Sequence, residues 1–273
     1  SGLWPNSPLA SVADVLARYD LEPGDTIRID TGVYSPDSVV QVGFQDSGTE
    51  SEPVTIQGST NLIGTRFVAR GLSFANARGL RVRNLKFSSQ TRPPVASINS
   101  SENILFEQVD IFDSAGSGIY VTGSSNVWLR NFLVARAVTN GVESADSYNT
   151  CLEFGTICSN GNAQVLANST ITGPFVSVSN CAMGVTGLRK LIYYVQGDFY
   201  ANNNSLYLDP GSGALAALKP EAAGFVREFD TVGSWVAGSG QDGASLSHDP
   251  LFADRSEERR VGKECRSRWS SYH

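Results

Sequence analysis

Two histidines, one methionine and four cysteines are all that 273 residues hold of these types. One of the histidines and one of the cysteines fall in the last stretch, 255–273. The remainder, His248 with Cys151, Cys158 and Cys181, forms no Cys/His cluster at zinc spacing. His248 stands alone in Ser-His-Asp-Pro with no nucleophile motif beside it and reads as a turn histidine. No apolar run approaches 18 residues, so no helix spans a membrane. An excess of basic residues is also missing. With 21 Lys/Arg against 27 Asp/Glu the net charge is −6, which argues against a nucleic-acid-binding surface. The hydrophobic fraction of 41% is high enough to exclude wholesale disorder.

The two ends differ from the body. Residues 255–273 hold six Lys/Arg and three Glu with no apolar periodicity, and they resemble the conceptual translation of a sequencing adapter, with Ser271 where that translation has Pro. The stretch is set aside as a non-native or disordered tail. Without it, residues 1–254 keep 15 Lys/Arg and 24 Asp/Glu, a net charge of −9. The chain starts at Ser1 with neither a basic n-region nor an apolar h-region, and the adapter-like end favours a fragment of a longer protein.

What is present is a repeat. Apolar doublets of period 2 recur as Ile27/Ile29, Val54/Ile56, Leu80/Val82, Ile104/Phe106, Val127/Leu129, Thr150/Leu152 and Val176/Val178, at steps of 27, 26, 24, 23, 23 and 26 residues. A second doublet follows five of them: Leu85/Phe87, Val109/Ile111, Phe132/Val134, Gly155/Ile157 and Cys181/Met183. Another apolar position precedes three of them, at Phe74, Ile98 and Val121. Each doublet is a short strand with one buried face. One coil cannot cover that face alone, whereas stacked coils bury it continuously. The expectation is an all-β right-handed parallel β-helix of about eight coils, a single domain over 1–254, with coils over 25–210, the last of them at Leu206/Leu208, and an irregular closing segment over 211–254.

Stacking makes columns legible. Asn84, Gln108, Asn131, Phe154 and Asn180 form one turn column, and Asn103, Asn126 and Asn149 form another just before a strand. Stacked side-chain amides are expected to bond to one another and to turn backbone in both. Cys158 and Cys181 fall on adjacent rungs but three columns apart. A disulfide, which needs Cα atoms within about 7 Å, forms there only if the turn between them bends. Cys181 sits in a core column and reads as a buried thiol.

The opening Ser11-Val-Ala-Asp-Val-Leu-Ala-Arg-Tyr-Asp-Leu-Glu-Pro-Gly-Asp-Thr-Ile-Arg-Ile-Asp-Thr-Gly-Val-Tyr34 resembles the first segment of bacterial right-handed parallel β-helix proteins of the pectate-lyase-like superfamily. Glu52-Pro-Val-Thr-Ile-Gln-Gly58 is similar to their second coil, and Asp242-Gly-Ala-Ser-Leu-Ser-His-Asp-Pro-Leu-Phe252 to the last segment of large surface-associated members. The likeness covers about 8–254 and speaks to architecture, not chemistry. It implies one module of a larger secreted or cell-surface bacterial protein. Val12, Val15, Leu16 and Tyr19 agree with it, since their spacing lays one apolar stripe on a helix within 8–24, capped by Ser11, stopped by Pro23-Gly24 and placed to close the N-terminal end.

Function rests on side chains outside the core. Arg83, Glu107, Arg130 and Glu153 alternate in sign along successive rungs, which makes an ion ladder on a solvated face. The resemblance implies a sharper use, β-elimination on an acidic polysaccharide, with an arginine as base and the carboxylates orienting it or holding a metal. A body charge of −9 works against a polyanionic substrate. The paired-Asp pattern of pectin hydrolases and the His-containing motif of alginate epimerases are both missing. Trp128 and Tyr120 are candidate platforms for sugar rings. No cofactor is expected. Calcium has candidate ligands in Asp25, Asp30, Asp242 and Asp249 near the two ends, but no EF-hand loop or Gly-Gly-x-Gly-x-Asp repeat occurs, and the four read first as capping and turn aspartates. The reading is a structural or carbohydrate-binding module, with polysaccharide and other domains of the same protein as partners; the alternative is a polysaccharide lyase or related carbohydrate-active enzyme.

Overall fold

A computed structural model describes residues 8–88, 94–169, 175–185, 190–194, 198–208, 216–218 and 227–247. They form a mostly parallel β-solenoid of about 6 turns with little helix. His248, Asp249 and the 255–273 tail lie outside these residues.

Three strand stacks make the walls. The first runs Thr26–Arg28, Val54–Gln57, Arg78–Ser88, Glu102–Phe112, Ser125–Arg130, Tyr148–Glu153, Phe175–Ser179 and Asp198–Asn202. Its inward register is Ile27, Ile56, Val82, Phe106, Leu129, Leu152, Val178 and Ala201. The second wall uses the distal halves of the two long strands together with Gly32–Tyr34, Thr65–Val68, Leu133–Ala135, Thr156–Cys158, Ala182–Val185 and Ser205–Leu208. The third rises from Val40–Val42 through Leu72–Ala75, Ala96–Asn99, Ile119–Thr122, Val142–Ala145 and Ala163–Asn168 to Lys190–Tyr194 and Ala216–Leu218, where Arg227–Phe229 joins antiparallel. Every doublet from Val54/Ile56 onward stacks as its spacing predicts. The first does not: Ile27 pairs with Ile56, not Val54, so the opening step is two residues longer, and Ile29 follows the strand and donates its N–H to Gln57.

The doublets fill one continuous core in which Ile56, Val82, Phe106, Leu129 and Leu152 are wholly buried. A buried Val, Leu, Ile or Phe contributes about 1.5–3 kcal/mol before the entropy of ordering is set against it. Size alternates to fit: a Cβ on Gly155 would come within 2.2 Å of the Phe132 ring on the rung before it. One coil is polar inside, with the Ser144 and Thr150 hydroxyls 3.1 Å apart.

Corners between walls are made by single left-handed residues. Asn84, Gln108, Asn131, Phe154, Asn180 and Asn203 all have φ between 51° and 56°. This corrects the expected amide ladder in that column: among the described residues no side-chain hydrogen bond joins Asn84, Gln108 and Asn131. Asparagine is favoured there because it tolerates the left-handed region. The second column does form the ladder. Asn126 Nδ2 donates to Asn103 Oδ1 at 3.0 Å and Asn149 Nδ2 to Asn126 Oδ1 at 2.8 Å, and these three residues are also left-handed. Beside them a buried serine column does similar work. The N–H of Ala77, Ser101 and Ser124 donates to the hydroxyl of Ser101, Ser124 and Ser147 respectively.

The first helix, α1, spans Val12–Arg18, with the Ser11 hydroxyl accepting from the Asp14 N–H. It is shorter than the 8–24 segment, because the chain turns extended at Tyr19 and Leu21 returns to the core. Val12 is buried, and Val15, Leu16 and Tyr19 pack against the core. The second helix, α2, spans Val232–Ser239 and buries Trp235 completely. Leu206 stacks on Met183, so the Leu206/Leu208 strand continues the second wall.

Candidate functional site

The outer side of the first wall carries two parallel columns. One reads Thr26, Thr55, Arg81, Leu105, Trp128, Cys151, Ser177 and Tyr200. The other reads Arg28, Gln57, Arg83, Glu107, Arg130, Glu153, Ser179 and Asn202. Period-2 alternation aims both outward because the intervening residues are the core doublets. The structure therefore brings Arg83, Glu107, Arg130 and Glu153 into one row beside Trp128, with the Asn103–Asn126–Asn149 ladder on the other flank. Trp128 is half-buried between Leu105 and Cys151. Tyr148 and Tyr200 stand further along the wall, 47% and 46% exposed.

The charged row is engaged with itself. Arg130 Nε donates to Glu153 Oε2 at 2.8 Å, with the two side chains 45% and 28% exposed. Arg83 turns away from Glu107 and places Nε and Nη2 on Gln57 Oε1, at 3.1 and 2.7 Å. The described residues enclose a cavity of about 10 Å³, room for one water, beside Ser144, Asp146, Asn168 and Asp198. None of the four charged residues lines it.

Tyr120 is elsewhere. It lies on the third wall, in register between Ser97 and Glu143. There Glu143 Oε2 accepts from Ser117 Oγ at 2.6 Å and from Asn140 Nδ2 at 2.9 Å. The two aromatic candidates thus belong to different faces.

Sequence reading passed over further charged pairs. Arg78 lies 3.8 Å from Glu102. Arg136 clamps Asp113 through Nε and Nη2 at 2.6 and 2.9 Å and rests 5.1 Å from the Phe112 ring centre. Asp113 raises the Arg136 pKa above its ordinary value by this hydrogen bond. The signal was available, since residues 113 and 136 are one coil apart. Lys86 faces Asp110 in register; burial raises the Asp110 pKa while Lys86 pulls it down.

Among the described residues Cys151, Cys158 and Cys181 are free thiols. Burial pushes the Cys181 thiol up to about 12, in keeping with its core column. Cys151 donates to Asn149 Oδ1 at 3.1 Å, and burial raises its pKa as well. Of the calcium candidates, Asp25 accepts from the Glu22 N–H and Asp30 from the Thr31 N–H, both turn contacts. Asp242 is 1% exposed, with its carboxylate held by Trp235 Nε1, Asn204 Nδ2 and Ser245 Oγ. Among the described residues no three His, Cys, Asp or Glu side chains are grouped to hold a metal, and no helix is long and apolar enough to cross a membrane.

No protein-family model matches the chain, and no curated protein does. Solved structures match in shape. A GH136 lacto-N-biosidase from Eubacterium ramulus superposes with a TM-score of 0.55 at 13% identity, covering 81% of this chain and 56% of that one. A periplasmic alginate epimerase gives 0.53 at 11% identity, over 74% and 50%. The catalytic domain of a GH87 α-1,3-glucanase gives 0.46 at 13%, over 75% and 44%. The chain spans about half the length of these structures. Identities this low carry the fold alone, and that fold is the parallel β-helix.

Proposed function

We propose that this chain is a carbohydrate-binding module of a larger secreted or cell-surface bacterial protein, and that a glycan lies on the first wall over Trp128. The observation that carries the reading is the placement of Trp128. Its side chain is half-buried on the outer side of the sheet, between an amide ladder and a row of guanidinium and carboxylate groups. An aromatic face covers the apolar side of a sugar ring, and rigid polar rows on both flanks match its hydroxyls. The lacto-N-biosidase and the alginate epimerase that share the fold keep the reading within glycan recognition, although function has to be argued from the site. In this reading the solenoid is right-handed, the hand nearly all parallel crossovers take. Counting each strand of the first wall as one coil makes eight in this reading, and α1 closes the N-terminal end, where strand edges would otherwise be bare.

The alternative, β-elimination on an acidic polysaccharide, needs an unengaged arginine in a walled groove. Arg130 is committed to Glu153 and Arg83 to Gln57. Arg130 is also 45% exposed, so water competes for its charge.

A glycan array probed with the whole chain, followed by calorimetry on the best binder, tests the proposal. Trp128→Ala is expected to weaken binding by about thirtyfold, the scale of a central aromatic anchor. If Tyr120→Ala removes binding and Trp128→Ala does not, the third wall is the sugar surface and the proposal is wrong.

A further inference from the structure

Trp128 shares its column with a second ring. Cys151, Ser177 and Tyr200 follow it, each in register with the one before. The outward groups of this stretch are an indole, a thiol, a small hydroxyl and a phenol, so two small side chains separate two aromatic ones. Cys151 is buried with its thiol turned onto Asn149 Oδ1, and Ser177 is half-buried. Three rung steps of about 4.8 Å place the Trp128 and Tyr200 positions roughly 14 Å apart along the solenoid axis. The core does not use the Tyr200 ring: Phe199 and Ala201 are the inward members of that strand, and Tyr200 is 46% exposed. Its strand, Asp198–Asn202, is the last of the first wall and is clamped by residues outside the repeat. Gln241 Oε1 accepts from the Ala201 N–H at 2.9 Å, the Asp242 N–H donates to the Ala201 carbonyl at 2.6 Å, and Asn202 Oδ1 accepts from the Ala244 N–H at 3.0 Å. An exposed ring on a fixed strand offers a contact surface with little ordering entropy left to lose.

A pyranose linked through opposite ends of its ring advances its chain by a length similar to one rung step. A chain laid along the axis therefore sets one sugar over each of the four positions Trp128, Cys151, Ser177 and Tyr200. We infer that the first wall takes a linear, uncharged glycan lengthwise, with the outer sugars of a four-sugar segment on Trp128 and Tyr200 and the inner two over Cys151 and Ser177. The inference rests on the reading of Trp128 as the glycan platform and adds the length, the direction and the charge class of the sugar chain. Small side chains in the middle leave room for the inner rings, and the aromatic faces cover the outer ones. The charge class follows from the flanks. Glu107, Glu153 and Asp198 border this stretch, and Arg130 is bonded to Glu153. An acidic sugar would arrive against an excess of carboxylate, whereas the hydroxyls of a neutral one donate to it. Ser179 and Asn202 continue the same row towards Tyr200 with uncharged polar groups.

The test is calorimetric titration of the whole chain with β-1,4-linked oligosaccharides of glucose, mannose and xylose, each from disaccharide to hexasaccharide, and with a β-1,4-linked oligoglucuronate as the acidic arm. Wild type is compared with Trp128→Ala, Tyr200→Ala and Tyr200→Phe. For the neutral series that binds best, affinity is expected to climb by about a hundredfold from disaccharide to tetrasaccharide and then to level off, as the second ring becomes reachable. Tyr200→Ala is expected to weaken the tetrasaccharide by about tenfold and the disaccharide by less than about twofold, whereas Tyr200→Phe, which keeps the ring, stays within about twofold of wild type for both. The oligoglucuronate should bind at least about tenfold more weakly than the neutral chain of equal length. Affinity that stops rising at the disaccharide, a Tyr200→Ala variant with unchanged tetrasaccharide binding, or an oligoglucuronate that binds as tightly as its neutral counterpart would overturn this inference while Trp128 keeps its role. Absence of binding to every probe, or a Trp128→Ala variant with unchanged affinities, would overturn the reading beneath it.

Discussion

Asp46 shows how far a single side chain can depart from what its neighbours in sequence suggest. It lies in the polar run Gly-Phe-Gln-Asp-Ser, yet it is 1% exposed. Oδ2 accepts from the Gly43 N–H at 3.2 Å, and among the described residues Oδ1 has no partner. Burial raises its pKa; the Gly43 amide pulls it down, and Asp20 pushes it up further. A carboxyl whose folded pKa exceeds its unfolded one binds its proton more tightly in the fold. Stability therefore falls as pH rises from the unfolded value, about 3.9, through the folded one. Asp46→Asn removes that titration. Urea denaturation of both proteins across a pH series should show the variant gaining on the parent from about pH 4 towards neutrality, with a constant difference below it. A variant that loses ground to the parent as pH rises would contradict the assignment. No pattern in the sequence announces this residue, because its burial is decided by chain segments distant from it.

At the level of elements, the informative unit is the column. The Asn103–Asn126–Asn149 ladder combines two demands, a left-handed backbone and a side-chain amide bonded along the stack. They can be separated at Asn126. Asn126→Gly keeps the backbone at ease and removes the amide, whereas Asn126→Ala removes the amide and strains the backbone. Thermal denaturation should place the alanine variant below the glycine variant by about 1 kcal/mol, the cost of a Cβ in the left-handed region. Equal stabilities would mean that the bend has relaxed. This ladder was legible because its spacing is an unbroken 23 residues. The Asn84 column was legible in position but not in cause, since the sequence shows which residues stack and not whether their amides touch. The first doublet slipped by two because Ile27, Ile29, Val54 and Ile56 are all apolar, and either register keeps an apolar residue inward. Among the charged residues, alternation along Arg83, Glu107, Arg130 and Glu153 was plain, but the exchange of Glu107 for Gln57 as the partner of Arg83 depends on side-chain reach.

Over the whole molecule, the solenoid's last coil is finished by residues that do not repeat. Segment 240–247 lays itself on the final strands: Asp242 N–H bonds to Ala201, Leu246 exchanges backbone bonds with Asn204 and Leu206, and the Asp242 carboxylate ties Asn204 to the Trp235 indole. Trp235 packs edge-on against Phe199 and Phe229. Since stacked repeats feel only their neighbours, damage here should stay local. Trp235→Ala is expected to cost about 3–5 kcal/mol at that end. Amide exchange should accelerate in Asp198–Asn202 and Ser205–Leu208 while Glu102–Phe112 keeps its protection; uniform acceleration along the chain would show a single cooperative unit. The sequence by itself determined the period, the inward doublets, the capped first helix and the rows in which outward residues stand, because a repeat of about two dozen residues fixes stacking before any contact is known. Only the tertiary structure decided which row members bond, that Trp128 and Tyr120 face different ways, that Asp242 is a buried clasp and that Arg81 Nε has no acceptor among the described residues. Those outcomes depend on corner angles and on side chains meeting across walls, and neither is written in the spacing.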